Sequence, residues 1–378
     1  MSPEPQNRSE KRRIHRKSRA GCIICKQRRV KCDEVRPRCG KCTIGNRPCS
    51  YGGETPASSL GTPPSFSAPL LVDSEGQRRF TLLEMALMYH ASTNLTSYMA
   101  LGYNTYPIIR TALESADTAP YFLDQLLALS ALHLSVTTSD VSGTYRQQAT
   151  KLQNRALRLF QDTQDHALDI NHKPCFLFSA FLGIQVLHNT LAEHNNSLGS
   201  FIVAFVDYTH IHRGVRTVIH GHWQSILGSD LKDLLPIDTW PAVGSFTPGL
   251  ETAQLRACLE SAPNICDSTL TASLESLNWL QYVLDIARES PVKERAGVHM
   301  LVSWPVIVPE AYVDALYQHR PEALVVLAFF AAILHQYRDF WIFGESGMRI
   351  FGIIADHVGP YWSEALAWPR QVMAKAKA

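Results

Sequence analysis

The sequence predicts a small cysteine-rich module at the N-terminus, followed by a large all-α domain. Three observations predict this arrangement. Six of the nine cysteines lie between Cys22 and Cys49. Residues 1–52 hold 15 Lys and Arg against 4 Asp and Glu, whereas the rest of the chain holds 21 against 30. From about residue 78, apolar residues recur at helical spacing and alternating strand patterns are rare. A basic segment of residues 1–52 followed by an acidic remainder indicates that only the N-terminal segment binds a polyanion.

The chain begins with a basic arm, residues 1–20, which is predicted to be disordered. Its run Lys11–Arg19 is interpreted as a nuclear localisation signal, a phosphate-binding tail, or both. The N-terminus lacks the apolar stretch of a signal peptide. The longest apolar runs, Phe176–Leu187 and Ala323–Leu334, are shorter than the roughly 18 residues that a membrane span needs, so both are predicted to be core helices. We therefore expect a nuclear protein without membrane contact, with its cysteines in a reducing compartment.

The six N-terminal cysteines form an internal repeat, C-x2-C-x6-C written twice with six residues between the copies. They are Cys22, Cys25, Cys32, Cys39, Cys42 and Cys49. This stretch has few large apolar residues, so it cannot build a hydrophobic core, and its fold needs another source of stability. Zinc suits a reducing compartment, and C-x2-C is a typical ligand pair. Two separate four-thiolate sites need eight cysteines. Six therefore suit two Zn²⁺ ions if two thiolates bridge, and the symmetry of the repeat selects Cys22 and Cys39.

Four cations lie in one inter-cysteine segment of the first repeat, whereas the matching segment of the second repeat holds only Arg47. We predict a short helix starting near Cys25 that projects Arg28 and Arg29 from its N-terminal turns. Arginine pairs bidentately with guanine O6 and N7 in the major groove, so these two residues are candidate base readers. The other two cations suit DNA phosphates, which set register and affinity. They are Lys26 and Lys31.

The stretch Cys22–Cys49 closely resembles the fungal zinc binuclear cluster DNA-binding domain, with all six ligands at matching spacing. The pattern Lys26-x-Arg28-Arg29-x-Lys31-Cys32-Asp33, followed by Pro37-x-Cys39, carries the resemblance. It implies a metal-stabilised domain of two short helices over residues 21–52, whose first helix enters the major groove of double-stranded DNA at a CGG-like triplet. The family's base contacts come three and four positions after the second cysteine, at Arg28 and Arg29. Many members have lysine there, which presents donors differently.

Residues 53–77 are predicted to be a linker, because residues 53–72 hold four prolines and four serines. No sustained heptad pattern follows the module. Two arrangements therefore stay open: monomeric binding to a single half-site, or a homodimer formed through the C-terminal region.

Residues 78–378 are predicted to be one all-α domain. Thr81 and Glu84 make a capping box. The helix that follows carries Leu82, Met85, Ala86 and Tyr89 on one apolar face. Further helices are predicted at Tyr121–Ser135 after Pro120, at Val203–His212, at Leu274–Arg288 and at Ala323–Trp341.

This region resembles the regulatory domain of sterol uptake control protein-like fungal regulators. The segments that carry the resemblance are Phe80–His90, Leu126–Leu134, His212–Arg216 with Trp223 and Leu231–Leu235, Arg320–Ala328 and Trp368–Pro369. The resemblance implies a helical effector domain that contacts the transcription machinery, often dimerises and, in some members, binds a hydrophobic small molecule. The apolar face of Leu324, Leu327, Ala331 and Leu334 fits plain core packing better than a lipid site. The segment Gly344–Gly347 is predicted to be a hinge or a turn.

No catalytic constellation is found, so an enzyme is not expected. G-x-S-x-G, G-x-x-x-x-G-K-[ST], G-x-G-x-x-G and H-E-x-x-H are all absent. The histidines at 210, 212, 220 and 222 lack a neighbouring carboxylate or cysteine at ligand spacing and are predicted to be surface or hydrogen-bonded groups. Cys175, Cys258 and Cys266 are predicted to be small buried hydrophobes.

An alternative function is a zinc module that binds a protein partner, with DNA binding lost or incidental. Such a module would carry neutral loops between its cysteines. The four cations of the first repeat argue against it. The sequence therefore favours a sequence-specific transcription factor of the RNA polymerase II system.

Overall fold

The computed structural model describes residues 20–36, 38–45, 47–51, 79–100, 104–163, 172–192, 197–219, 222–232, 249–289 and 291–375. The chain divides into two units, one within residues 1–70 and one within residues 71–378. The predicted basic arm, apart from Ala20, and the predicted linker lie outside the described residues.

The first unit contains two short helices, α1 (Ile23–Gln27) and α2 (Gly40–Ile44). Its core consists of cysteine side chains, five of which are buried, with Ile24, Cys49 and Tyr51 packed around them. The large apolar residues Val35 and Ile44 are exposed. The predicted small two-helix module is confirmed, and its interior is sulfur rather than hydrocarbon.

The described residues of the second unit are largely helical and contain no β-strand, so the predicted all-α fold class is confirmed. Its helices are α3 (Leu82–Tyr98), α4 (Tyr106–Glu114), α5 (Pro120–Thr137), α6 (Thr144–Thr163), α7 (His172–Ala192), α8 (Leu198–Ile219), α9 (Trp223–Leu227), α10 (Leu250–Ser261), α11 (Asp267–Glu289), α12 (Pro291–Ile307), α13 (Glu310–Tyr317), α14 (Pro321–Gln336), α15 (Ser346–His357) and α16 (Ala367–Lys375), with a 3₁₀ turn at Pro360–Trp362.

Two hydrophobic cores hold this unit together. One packs the helices α3 to α7, and the other is formed mainly by α8 and α10 to α16. Every residue from Ala323 to Leu334 in α14 is fully buried, so core packing accounts for the apolar face of that helix. Trp341 contacts both cores. Its Nε1–H donates to the Tyr98 carbonyl at 2.6 Å, which ties the end of α3 to the turn after α14.

One helix, α7, is long and apolar enough by length and composition to cross a membrane. Of its most apolar window, 67% is buried inside the unit. That burial is what a core helix needs, and it agrees with the prediction made for Phe176–Leu187.

Three of the four predicted helices lie within α5, α8 and α11. The fourth, predicted at Ala323–Trp341, extends past the C-terminal end of the observed helix α14. The helix α14 ends at Gln336, after which Tyr337–Phe343 forms successive turns. Of the segment Gly344–Gly347, the first two residues form the turn that leads into α15 and the last two begin that helix. A Cβ atom at Gly347 would lie 2.4 Å from the Ala331 carbonyl oxygen, so only glycine lets the backbones of α14 and α15 approach this closely.

The capping box of α3 is confirmed, whereas the helix buries a different face from the apolar one read from the sequence. The Glu84 N–H donates to Thr81 Oγ1 at 3.1 Å, and the Thr81 N–H donates to Glu84 Oε2 at 2.9 Å. The buried residues are Glu84, Leu87, Ala91 and Leu95, whereas Leu82, Met85, Ala86 and Tyr89 are exposed. The buried side combines the apolar stripe Leu87, Ala91 and Leu95 with an ion pair made by Glu84.

That ion pair belongs to a buried network that joins three helices. Arg155 in α6 donates to Asp124 in α5 through Nε at 2.6 Å and Nη2 at 2.7 Å. The same Nη2 donates to Glu84 in α3 at 2.7 Å. Burial alone would raise the pKa of Glu84, but the hydrogen bonds from Thr81 and Arg155 hold it below its usual value. One guanidinium therefore binds two buried carboxylates on different helices.

We predict that Arg155→Met lowers the free energy of unfolding by about 3–5 kcal/mol, because it leaves two buried carboxylates without their cation. Chemical denaturation followed by circular dichroism measures this loss. Arg158→Met is the matched control, since Arg158 lies exposed on the same helix; its effect should stay within about 0.5 kcal/mol. Equal losses in the two variants would contradict the role assigned to the network.

Candidate metal centre and nucleic-acid interface

The backbone of the first unit places its cysteines by the same contacts in both repeats. The Cys22 N–H donates to Cys32 Sγ at 3.4 Å, and the Cys39 N–H donates to Cys49 Sγ at 3.3 Å. Each helix starts directly after the first cysteine of its repeat, with Cys22 and Cys39 as the N-caps of α1 and α2. The repeat seen in the sequence is therefore a repeat of structure.

The six thiols form two overlapping groups that share two members. Within each group, all ligand atoms lie within 4.8 Å of one another. The shared members are Cys22 and Cys39; Cys25 and Cys32 complete one group, and Cys42 and Cys49 complete the other.

The spacing of the sulfur atoms fits tetrahedral zinc. Cys22 Sγ lies 3.7 Å from the Sγ atoms of both Cys39 and Cys42, and Cys25 Sγ lies 3.7 Å from Cys39 Sγ. Four sulfurs at about 2.3 Å from a tetrahedral zinc ion lie about 3.8 Å apart. A disulfide needs about 2.05 Å, and all six cysteines are free. The donor set thus fits zinc and excludes a disulfide knot.

The packed thiols need positive charge before they can all ionise. Burial, together with the neighbouring Cys39 thiol, raises the pKa of Cys42 to about 12. Burial and the Cys22 thiol likewise raise the pKa of Cys25 well above its usual value. Burial would also raise the pKa of Cys22, but hydrogen bonds from Cys25 and contacts with the other thiols lower it to about 6. Two Zn²⁺ ions supply the charge that six thiolates require.

Three contacts fasten the two repeats to each other, and the sequence analysis did not identify them. The Ile23 N–H donates to the Ser50 carbonyl at 2.8 Å. The Gly40 N–H donates to Asp33 Oδ2 at 2.8 Å. The hydroxyl of Tyr51 donates to the Val35 carbonyl at 2.9 Å and lies 3.7 Å from Cys32 Sγ. The feature of the sequence that could have predicted the third contact is a tyrosine two residues after the last cysteine of the module.

The two arginines lie at a different end of α1 from the one predicted. The helix begins at Ile23, because Cys22 caps it by accepting the Cys25 N–H at 3.4 Å. It ends at Gln27, so Arg28 is the C-terminal cap and Arg29 lies beyond it with φ at 55°. The prediction that they project from the N-terminal turns is therefore wrong. Both side chains extend from the C-terminal end of the helix and are exposed.

Positive charge is concentrated in the first repeat. Lys26, Arg28, Arg29 and Lys31 are all exposed, and no carboxylate within the described part of the chain forms an ion pair with them. The positions that match Lys26, Arg28 and Lys31 in the second repeat are Thr43, Gly45 and Pro48, which carry no charge. The second repeat holds only Lys41 and Arg47, so the metal frame is repeated while the dense group of cations is not.

The remaining histidines and cysteines take separate places in the second unit. His210 Nε2 lies 3.4 Å from Glu310, and His212 shares a hydrogen bond of 2.8 Å with the Tyr208 hydroxyl. The ring of His222 stacks on His172. The fourth histidine, His220, lies outside the described residues.

The three later cysteines differ in burial. Cys175 is buried and Cys258 is half-buried, whereas Cys266 is exposed, so the prediction of burial is wrong for Cys266. Cys266 directly precedes α11, where its Sγ contacts the hydroxyls of Ser268 and Thr269 at 3.3 and 3.0 Å. These hydrogen bonds lower the pKa of Cys266 to about 7.

Comparison with known proteins places the module in a family. Residues 20–58 match the fungal Zn(2)-Cys(6) binuclear cluster domain. A Zn(2)-C6 fungal-type transcription factor of Gibberella zeae is 25% identical, over 96% of this chain and 86% of that protein. Another from Aspergillus fumigatus is 27% identical, over 86% of this chain and 90% of that protein. No solved structure matches the chain.

Similarity to a sterol uptake control protein is confined to a short stretch. Sterol uptake control protein 2 of Candida albicans is 54% identical over 52 residues, which is 14% of this chain and 7% of that protein. The match is too short to bear on the resemblance predicted for the helical region. The cysteine geometry and the domain match agree on the metal. Residues 20–58 match the fungal Zn(2)-Cys(6) binuclear cluster domain, which binds two zinc ions, and the similarity to fungal-type transcription factors supports DNA-binding regulation of transcription.

Proposed function

We propose that the chain recognises a CGG-like triplet in the major groove of double-stranded DNA through Arg28 and Arg29. The observation that carries this proposal is the position of the two guanidinium groups. They lie next to each other, exposed, at the C-terminal end of a helix whose first residues are fixed by the metal centre. Bidentate donors held by a rigid support are what guanine O6 and N7 require.

Lys26 and Lys31 bind phosphates on either side of the base contacts. Both are exposed and flank the two arginines in sequence. Lysine presents a point charge on a flexible stem, which suits the backbone better than a base edge. These two residues determine the affinity and the register on the DNA, while the arginines determine which base sequence is preferred.

Cys22 and Cys39 bridge the two zinc ions, and the other four cysteines are terminal ligands. The membership of Cys22 and Cys39 in both thiol groups supports this assignment. Each zinc ion then reaches four sulfurs from six cysteines. Because the bridges come from different repeats, the metal centre joins the two halves of the module.

The helical unit regulates transcription, in the nucleus, at the sites that the zinc module selects. Its support is the alignment with two full-length fungal transcription factors over most of their chains. Contact with the transcription machinery is proposed for this unit. A hydrophobic small-molecule ligand stays a prediction of the resemblance.

We predict that Arg28→Ala weakens binding to the preferred site by about 1–3 kcal/mol and relaxes base preference. Arg29→Asn should do the same, and asparagine tolerates the left-handed backbone of this position. Selection of bound sequences from a random DNA pool, followed by titration, measures both effects. The control is Arg47→Ala, which removes the same charge from the second repeat and should leave base preference unchanged. Full discrimination by the Arg28 and Arg29 variants would place the base contacts elsewhere.

We predict that Lys26→Ala weakens all DNA sequences alike and lowers the salt dependence by about one unit of slope, because one phosphate contact is lost. Affinity for a preferred and a scrambled site, measured over a series of salt concentrations, tests this. A selective loss at the preferred site would mean that Lys26 reads a base.

We predict that native mass spectrometry finds two zinc ions in the wild-type chain. Cys49→Ser should keep one tightly bound ion, because one group of four thiols is intact. Cys22→Ser and Cys39→Ser should weaken both ions, because each removes a ligand from both groups. Cys266→Ser serves as the control and should keep two. One tightly retained zinc in the Cys22 variant, as in the Cys49 variant, would contradict the bridging assignment.

A further inference from the structure

The sequence places a pair of arginines directly before the threonine that caps α3. Arg78 and Arg79 precede Thr81 by three and two positions. The chain contains three Arg–Arg pairs, and the residue two positions after each pair is a histidine, a lysine and Thr81 in turn. Thr81 is therefore the only hydroxyl in the sequence that follows an arginine pair at this spacing.

The residues on both sides of Thr81 are accessible. Arg79 is exposed, and Phe80 and Leu82 are 45% and 86% exposed. The backbone of Thr81 is extended, with φ at −76° and ψ at 160°, and the helix begins at the next residue. Thr81 itself is half-buried, because it is part of the capping box with Glu84. The end of a helix opens at low free-energy cost, so an enzyme can bind residues 79–82 as an extended peptide.

We propose that Thr81 is a phosphorylation site for an arginine-directed protein kinase. Carboxylates in the substrate groove of such a kinase pair with guanidinium groups ahead of the hydroxyl, which is how kinases select substrates by charge. In the reaction, Thr81 Oγ1 attacks the γ-phosphorus of ATP. The bond from that phosphorus to the β–γ bridging oxygen breaks, ADP leaves, and the hydroxyl proton passes to a base of the kinase.

A phosphate on Thr81 acts on the contacts that hold the first turn of α3. Thr81 Oγ1 donates to Glu84 Oε2 at 3.0 Å and accepts the Glu84 N–H at 3.1 Å. Phosphorylation removes the hydroxyl donor and adds a charge of about −1.5 to −2 at pH 7. The added charge then lies against the Glu84 carboxylate, where like charges repel.

The surroundings of Glu84 make this repulsion hard to relieve in place. Glu84 and Asp124 are 2% and 0% exposed, so water does little to screen the added charge. Arg155, the guanidinium of this network, already binds both carboxylates. The repulsion is relieved when the first turn opens and carries the phosphate into water. Phosphorylation of Thr81 therefore ends the capping box and loosens the start of α3.

A kinase assay on the folded, zinc-loaded full chain tests the site. The probe is ATP with the catalytic subunit of cyclic AMP-dependent protein kinase, which prefers arginine at these two positions, and peptide mass spectrometry locates the phosphate. We expect one phosphate, on Thr81. Arg79→Gln should lower kcat/KM for the transfer at least about tenfold, because a charge-assisted contact is lost.

Thr144 is the internal control for this assay. It is exposed at the first residue of α6 and has no arginine two or three positions before it, so it should stay unmodified. Thr81→Asn is the second variant: asparagine caps a helix at least as well as threonine but offers no hydroxyl. Thermal denaturation checks that it folds, and it should take up no phosphate. An unmodified Thr81, or equal transfer to the wild type and the Arg79 variant, would overturn the proposal.

Hydrogen–deuterium exchange of the phosphorylated chain tests the structural consequence. The amides of Glu84 and Met85 bond to Thr81 Oγ1 and to its carbonyl, and they should exchange about fivefold faster after phosphorylation. Amides in α14 should not change. Unchanged or slower exchange at Glu84 and Met85 would overturn the loosening of α3. Both experiments are done without DNA, so neither depends on which bases the zinc module reads.

Discussion

Two zinc ions shared among six sulfurs take the place of the hydrophobic core that residues 20–51 lack. The interior of this unit is cysteine, and Val35 and Ile44 point into solvent. Its helices have five residues each, too few to be stable alone. Metal binding is therefore folding for this segment. The orientation of the arginines beyond α1 depends on it, because Cys22 caps that helix and Cys25 lies within it.

The helical unit is stabilised by apolar packing and a buried ion network rather than by metal ions. Its two hydrocarbon cores meet at Trp341, and the ion network of Arg155 ties α3 to α5 and α6. On the same side of α3 as Glu84, the apolar residues Leu87, Ala91 and Leu95 are buried in the core. Hydrocarbon packing and the ion network therefore act on one side of this helix.

Local patterns in the sequence predicted most of the fold. Cysteine spacing predicted the metal set, the family resemblance implied the two-helix module, and the Thr81–Glu84 pair predicted the start of α3. What failed depends on contacts between distant residues. Glu84 and Arg155 are 71 positions apart, so periodicity alone selected the wrong buried face. Cys22, rather than a residue near Cys25, caps α1, which moved Arg28 and Arg29 to the other end of the helix. The contact between Tyr51 and Val35 was not predicted, because a single hydroxyl group does not form a repeating pattern in the sequence.

Hydrogen–deuterium exchange on the full chain, before and after removal of zinc by a chelator, tests the central role of the metal most directly. We expect the amides of residues 20–51 to change from protected to freely exchanging, together with loss of specific DNA binding. Amides in α14 should keep their protection, because that helix is buried in hydrocarbon. Persistent protection of residues 20–51 and intact site recognition after complete zinc removal would contradict the account.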